Sequence, residues 1–186
     1  MRIVGGRLKS RRLATPAGSA TRPTTDRVRE SLFNILESRY RDRLVGGRVG
    51  DLYAGTGALG IEALSRGAAH ATFIERSPAA FRLLEGNISA LGLKEVSTLI
   101  RGDALQALPR LEPMDIIFLD PPYGGEMASE ALARITTIGC IAPSGVIVLE
   151  SATSDLINVP EVMEIFLEKR YGSTLLSFLG LTGPAT

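Results

Sequence analysis

A chain of 186 residues sets an expectation of one domain, long enough to bury roughly 70% of the surface an extended chain exposes. No run approaches 18 apolar residues, and the arginine-bearing N-terminus has no apolar stretch with a small-residue cleavage site, so neither a membrane span nor a secretory leader is expected. Cys140 is the only cysteine and His70 the only histidine, which excludes an internal disulfide, fits a reducing cytoplasm and argues against a zinc site or a histidine-centred triad. The net charge of +1 conceals an asymmetry. Residues 1–48 carry 12 Lys or Arg against 4 Asp or Glu, a formal +8, while residues 49–186 carry 9 against 16, a formal −7. A basic segment before an acidic body is expected where a polyanion is bound, because a field of one sign steers phosphate backbones toward the protein. A solvated arm that only keeps the protein soluble would give the same count.

In chain order, residues 2–4 and 8–14 flank Gly5-Gly6 and read as two short strands or an extended arm with a turn. Arg7, Lys9, Arg11 and Arg12 would share one exposed surface there. Residues 15–23 are rich in Thr, Pro, Gly and Ser and read as loop. Thr24 or Thr25 then opens a helix, with Asp26 in the first turn where the dipole favours a carboxylate. Val28, Leu32, Ile35 and Leu36 form its apolar face, while Arg27, Arg29 and Asn34 lie away from that stripe. The helix is expected to end near Tyr40, with Gly46-Gly47 as the hinge into the main fold. Beyond it, strands at 48–53, 71–74, 96–100, 115–119 and 145–149 alternate with helical patterns at 58–66, from Pro78 through Leu91, at 104–108 and at 126–138. Residues 162–169 and 173–179 read as an antiparallel pair at a sheet edge. The alternation predicts an α/β protein. Its parts are a basic hairpin or arm and helix at 1–47, the main domain at 48–180 and a flexible tail at 181–186.

The stretch from Val49 to Gly60, V-G-D-L-Y-A-G-T-G-A-L-G, organises the rest. A short apolar run leads into glycines spaced G-x-G-x-x-G, the signature of a strand turning into a helix against a nucleotide-like cofactor. Gly55 is expected to take the tight turn, Gly57 to let the backbone approach a ligand, and Gly60 to let helix and sheet pack closely. A glycine-rich junction with no ligand would read the same. Asp51, Glu75, Asp103, Asp120 and Glu150 sit in or at the ends of successive strands, so a parallel sheet would bring them to one crevice. Glu75, twenty residues beyond Gly55, also satisfies the dinucleotide fingerprint. Against a nicotinamide cofactor stands Asp51: a carboxylate there disfavours a pyrophosphate and suits a cationic amino or sulfonium group. After the fourth strand comes Asp120-Pro121-Pro122-Tyr123. The prolines remove two N–H donors and leave carbonyls free to accept, and an aromatic ring follows. That arrangement accepts hydrogen bonds from an exocyclic amine and stacks on the base that bears it, as enzymes acting on extruded bases require.

These motifs resemble the Rossmann-like S-adenosylmethionine-dependent methyltransferases. More closely, the chain resembles the RsmD type, the bacterial family that methylates the exocyclic N2 of a guanine in small-subunit ribosomal RNA. The resemblance covers 1–6 (M-R-I-V-G-G), 21–30 (T-R-P-T-T-D-R-V-R-E), 33–36 (F-N-I-L), 51–60, 120–123 and Tyr171-Gly172. It implies a mostly parallel seven-stranded sheet with an antiparallel last strand and helices on both faces. It implies S-adenosylmethionine as cofactor, with Asp51, Tyr53, Gly55 and Gly57 at its methionine part, Glu75 at the ribose hydroxyls, and Asp103 with Ala104 at the adenine. Asp120 and the Pro121 carbonyl would orient the guanine amine, Tyr123 would stack on the base, and no metal is needed. Arg22, Thr25, Arg27 and Arg29, with the arm cations, would contact RNA. The implied partner is small-subunit ribosomal RNA or a partly assembled small subunit, met by a cytoplasmic monomer with no membrane contact. Where the family usually has an aliphatic residue this chain has Gly50, expected to weaken the first strand by roughly 0.5–1 kcal/mol. Adenine-N6 methylation of DNA or RNA, amide methylation of a protein, and a non-catalytic RNA-binding or assembly role remain alternatives.

Overall fold

The computed structural model describes residues 1–16, 26–122 and 124–183. Seven strands form one sheet: β1 (Arg48–Asp51), β2 (His70–Glu75), β3 (Ser97–Arg101), β4 (Met114–Leu119), β5 (Ile141–Ala152), β6 (Met163–Tyr171) and β7 (Thr174–Leu181). Their order across the sheet is β3-β2-β1-β4-β5-β7-β6. The first five run parallel, and β7 inserts antiparallel between β5 and β6. The chain therefore reverses its direction of winding between β1 and β4, the switch point where open α/β sheets bind ligands. The expected fold is present.

Alternation along the central strands sets the layers. On β4, Ile116 and Phe118 face one core and Ile117 and Leu119 the other, all fully buried. The first core takes Leu32, Phe33 and Leu36 of α1 (Asp26–Arg39), Ile61 and Leu64 of α3 (Ala58–Ser65), and Leu84 and Ile88 of α4 (Pro78–Ala90). The short α2 (Arg41–Leu44), which the pattern reading passed over, adds Leu44 to it. The second takes α5 (Ala104–Ala107) and Ala131, Leu132 and Ile135 of α6 (Gly124–Ile138), together with Cys140. Burial pushes the Cys140 thiol up to about 11, so it packs as a neutral thiol. No helix among the described residues is long and apolar enough to cross a membrane.

The N-terminal segment does not stand apart from the body. Ile3 and Leu13 belong to the first core, and a single antiparallel bridge joins Arg2 to Arg12. Residues 6–8 form a 3-10 turn between them. The arm is laid along α3: Val4 N–H donates to Glu62 Oε2 at 2.8 Å, Leu8 N–H to Ser65 Oγ at 2.9 Å, and Ser65 Oγ–H to the Gly5 carbonyl at 2.6 Å. At the C-terminal side, Leu181 closes β7 and Thr182 donates to the Val162 carbonyl.

Two sequence expectations change. Gly50 does not merely weaken β1: a Cβ there would lie 2.2 Å from Met114 Sδ, so its absence makes room for a side chain of β4. And β5 extends to both sides of the expected 145–149 run, spanning Ile141–Ala152: Met114 pairs with Ile141 ahead of a register shift in β4, and antiparallel pairing with β7 carries the strand on to Ala152.

Candidate active site

The carboxyl ends of the five parallel strands carry the acidic residues in the spatial order Asp103, Glu75, Asp51, Asp120, Glu150. Register places them there: Asp51 pairs with Phe73, Glu75 with Arg101, and Leu119 with Leu149, one step before Asp120 and Glu150. The shared edge is as expected, yet the five divide into two groups on either side of the switch point.

On the β1 side Asp51 and Glu75 hold the backbone of the glycine turn. Asp51 is 3% exposed, and its Oδ2 accepts from Gly60 N–H at 3.0 Å, beneath the start of α3. Glu75 Oε2 accepts from Gly55 N–H at 2.8 Å and Oε1 from Ser77 N–H at 2.6 Å. Asp103 caps α5 through Leu105 and Gln106 N–H, with Ala104 buried behind it. Burial raises the Asp51 carboxyl to about 7; the Gly60 hydrogen bond opposes this and the Glu75 charge adds to it. Tyr53 sits in the turn after β1 with its hydroxyl buried and without a hydrogen-bond partner among the described residues. Burial, then the charges of Asp103 and Glu130, raise that phenol to about 12.

The three glycines play different parts. Gly60 packs helix on sheet as expected, since a Cβ would lie 2.3 Å from the Phe73 ring. Gly55 takes φ 54, and a Cβ there would meet nothing within 4 Å, so its open side faces away from protein. Gly57 corrects the sequence reading. At φ 83 its missing side chain points inward, where a Cβ would lie 2.5 Å from Leu84 Cδ1 and 3.1 Å from Ile61 Cδ1. A branched side chain at 57 would strain the core and so cannot report on a ligand alone; the position that can is Gly55.

These features fit S-adenosylmethionine. A buried, under-compensated carboxylate suits a cation, an open glycine turn admits a ligand against backbone, and an unpartnered phenol offers one more hydrogen bond.

On the other side, Asp120 and Pro121 open a cleft of about 580 Å3. Pro122, Gly125, Glu126 and Ala128 complete one wall; Glu150, Ser151, Ala152 and Asp155 form the other. Asp120 is exposed at its mouth, directly after the buried run of β4. Asp155 Oδ2 accepts from Ala152 N–H at 2.9 Å and so shapes the turn after β5. Gly125 matters to this wall, since a Cβ there would lie 2.0 Å from the Leu156 carbonyl oxygen. Tyr123, Arg22 and Thr25 lie outside the described residues, as does the expected start of α1 at Thr24 or Thr25.

Arg7, Lys9, Arg11, Arg12 and Arg27 are exposed, as a polyanion-binding surface needs. Arg29 is a correction: it is 1% exposed and cannot reach RNA. Its guanidinium donates to Asp26 Oδ1 at 2.9 Å and to the Arg2 carbonyl, and its Nε lies 3.8 Å from Glu62 Oε2. Glu62 in turn binds Arg66, which lies over the Phe33 ring and pairs with Glu37. Arg29 therefore ties the arm to α1 and α3.

Sequence reading also missed Asn87. It is 3% exposed, and its Nδ2 donates to the Thr56 carbonyl at 3.0 Å and to the Ala14 carbonyl at 3.2 Å, while Oδ1 accepts from Ala14 N–H. It thus joins the end of the arm to the glycine turn. The signal was a lone amide inside the stripe of Leu84, Ile88 and Leu91.

A Rossmann-like sheet with a glycine turn over buried Asp51 and an Asp-Pro-Pro turn beyond β4 defines a methyltransferase. Residues 1–180 match the family described as "Conserved hypothetical protein 95", and the chain belongs to this family, the RsmD family. Ribosomal RNA small subunit methyltransferase D of Escherichia coli K12 is 36% identical over 174 residues, spanning 92% of this chain and 85% of that protein. YlbH of Bacillus subtilis is 38% identical over 189 residues, covering 100% and 97%. The solved structure of yhhF from Escherichia coli superposes with a TM-score of 0.86 at 32% identity, covering 99% of both chains.

Proposed function

We propose that this protein transfers the methyl group of S-adenosylmethionine to the exocyclic N2 amine of a guanine in small-subunit ribosomal RNA. The observation that carries the reading is the Asp120-Pro121 turn, which lines an acceptor-rich cleft at the end of β4, the strand that pairs with β1 and its buried Asp51. Kinship with ribosomal RNA small subunit methyltransferase D supports the RNA as substrate. Bound S-adenosylmethionine supplies an electrophilic methyl on a positively charged sulfur. Asp51, Tyr53 and Gly55 would hold its methionine part, Glu75 the ribose hydroxyls, and Asp103 with Ala104 the adenine. Asp120 and the Pro121 carbonyl accept the hydrogens of the amine and draw its lone pair out of the ring. Tyr123 stacks on the base. The surplus proton leaves through Asp120 or water. The chain supplies positioning and electrostatics, with no covalent intermediate on the protein. Nucleoside mass analysis of ribosomal RNA from cells lacking the protein, before and after it is restored, tests this. Loss and return of one N2-methylguanosine is expected, and unchanged RNA in both states would refute it.

Two further results are expected. Gly55→Asn keeps a residue that tolerates the left-handed conformation and places its side chain in the open space of the turn. The variant should stay folded and lose S-adenosylmethionine binding by calorimetry; retained binding would remove the cofactor from this turn. Replacing Arg7, Lys9, Arg11 and Arg12 by Ala should weaken RNA binding and reduce the salt slope by about 0.7–0.9 for each phosphate no longer neutralised. Cofactor affinity should stay constant. An unaltered salt slope in a filter-binding titration would leave the arm a solvated face that only packs on α3.

A further inference from the structure

Tyr171-Gly172 forms the tip of the β6–β7 hairpin. Tyr171 pairs with Thr174 across a two-residue turn, and Gly172 takes φ 61 at its first position. β7 begins opposite the end of β5, with Thr174 paired to Ala152. Ala152 lies two residues beyond Glu150, about 7 Å of strand, so the tip stands outward of the strand-end carboxylates at the same edge of the sheet. Two contacts fix it there. The Tyr171 and Ser31 hydroxyls share a hydrogen bond, which ties the tip to α1. Thr153 N–H donates to the Ser173 carbonyl at 2.9 Å, which ties it to the chain between Ala152 and Asp155 of the cleft wall.

Lys169 and Arg170 sit at this tip, both exposed, in the part of the chain that carries the formal −7. Arg170 Nε–H donates to the Gly172 carbonyl at 3.0 Å, and neither cation forms an ion pair among the described residues. Arg27 is exposed one turn before Ser31 on the same side of α1, so a third cation lies next to the point where the hairpin meets that helix. The basic arm lies on the other side. It packs on α3 and reaches the edge at Ala14, which Asn87 joins to Thr56 of the glycine turn. β6 is the last strand of the sheet, three strands from β4, about 14 Å at the usual spacing. Between the two cationic groups runs the row of strand-end acids, which repels a polyanion. A phosphate backbone that brings a base to Asp120 is therefore best held on both sides of that row.

Resting on the reading that ribosomal RNA is the substrate, we propose that Lys169, Arg170 and Arg27 form a second phosphate contact, across the cleft from the arm. The arm and the hairpin tip then hold opposite flanks of the methylated guanine.

Lys169→Gln with Arg170→Gln should stay folded, since both side chains are exposed, and should bind S-adenosylmethionine as the parent does. In a filter-binding titration with unmethylated small-subunit ribosomal RNA, the salt slope should fall by about 1.4–1.8, at 0.7–0.9 for each of two phosphates, and affinity about tenfold. Lys169→Arg with Arg170→Lys keeps both charges and should keep the parent slope. An RNA fragment around the methylated guanine is then made with uncharged methylphosphonate linkages, at 2′-O-methyl nucleotides, on either the 5′ or the 3′ flank. On one flank the neutral linkages should abolish the loss caused by the hairpin pair and leave the loss caused by replacing Arg7, Lys9, Arg11 and Arg12 by Ala. On the other flank the two should exchange. An unchanged slope in the glutamine pair, or a lost slope in the charge-keeping pair, overturns the phosphate contact. Losses that vanish with the same flank, or persist with both, overturn the two-sided grip. Failure of the wild-type protein to methylate ribosomal RNA overturns this inference together with the reading beneath it.

Discussion

Asp120→Ala should slow single-turnover methyl transfer by about 30- to 1,000-fold while leaving the fold and the affinity for S-adenosylmethionine close to those of the parent protein. The separation follows from where Asp120 lies. It is exposed at the cleft mouth, immediately beyond four fully buried residues of β4, so its carboxylate stands outside the core packing. Truncation therefore removes little apolar burial. What it removes is an acceptor that gains strength as the amine nitrogen becomes positive, a transition-state interaction more than a ground-state one. Losses of such preorganised groups cost about 2–4 kcal/mol, which gives the range of rates above. The Pro121 carbonyl would still accept one hydrogen, which keeps residual transfer measurable. Parent-rate transfer by Asp120→Ala would refute the amine-orienting role and turn attention to Glu150, the other strand-end carboxylate in the cleft.

Much of this site was legible in the chain itself because its determinants are local. G-x-G-x-x-G, a carboxylate four residues before the glycines and D-P-P-Y after an apolar run are all set within a few residues. The alternation of strand and helix patterns then carries the five strand-end acids to one edge whatever the details of packing. What escaped was direction and partnership. Gly57 and Gly55 look equivalent in the motif, but only the backbone around them shows that one missing side chain would point at Leu84 and the other into open space. The apolar spacing of α1 sets Arg29 off its stripe, a position that suits solvent; its fate was decided by Glu62, 33 residues away on another helix. Gly50 likewise answers to Met114 on the neighbouring strand. Asn87 was hidden for the opposite reason: its helix is amphipathic enough that one amide in the stripe leaves the pattern readable, while its partners at Ala14 and Thr56 come from distant segments.

Asp51→Asn should make the cofactor-free protein more stable at pH 8 by about 2–4 kcal/mol, and the advantage should vanish near pH 4. Asp51 is buried, and its carboxyl is raised from an ordinary 3.8 to about 7, first by desolvation. The folded state therefore holds a proton between those values that the unfolded chain has released. Stability must fall as pH rises through that window, and the loss is complete above 7. The gap corresponds to about 4 kcal/mol, an upper figure because a real buried site relaxes. Asparagine cannot ionise, and it keeps an oxygen for the Gly60 N–H. His70, lowered by burial and by Arg48, contributes with the opposite sign, but it is common to both proteins and cancels in their difference. The reverse is expected of ligand binding. A cationic ligand favours the ionised carboxylate, so S-adenosylmethionine affinity in the parent protein should rise as pH increases toward about 7 and then level off. Asp51→Asn should bind weakly at every pH, giving up in function what it gains in stability. Urea titrations of both proteins at pH 4, 6 and 8, with calorimetry of the cofactor at the same values, measure the two effects. A stability difference that does not change with pH would show that Asp51 is ionised in the folded protein throughout, and would remove the reason for placing a cation beside it.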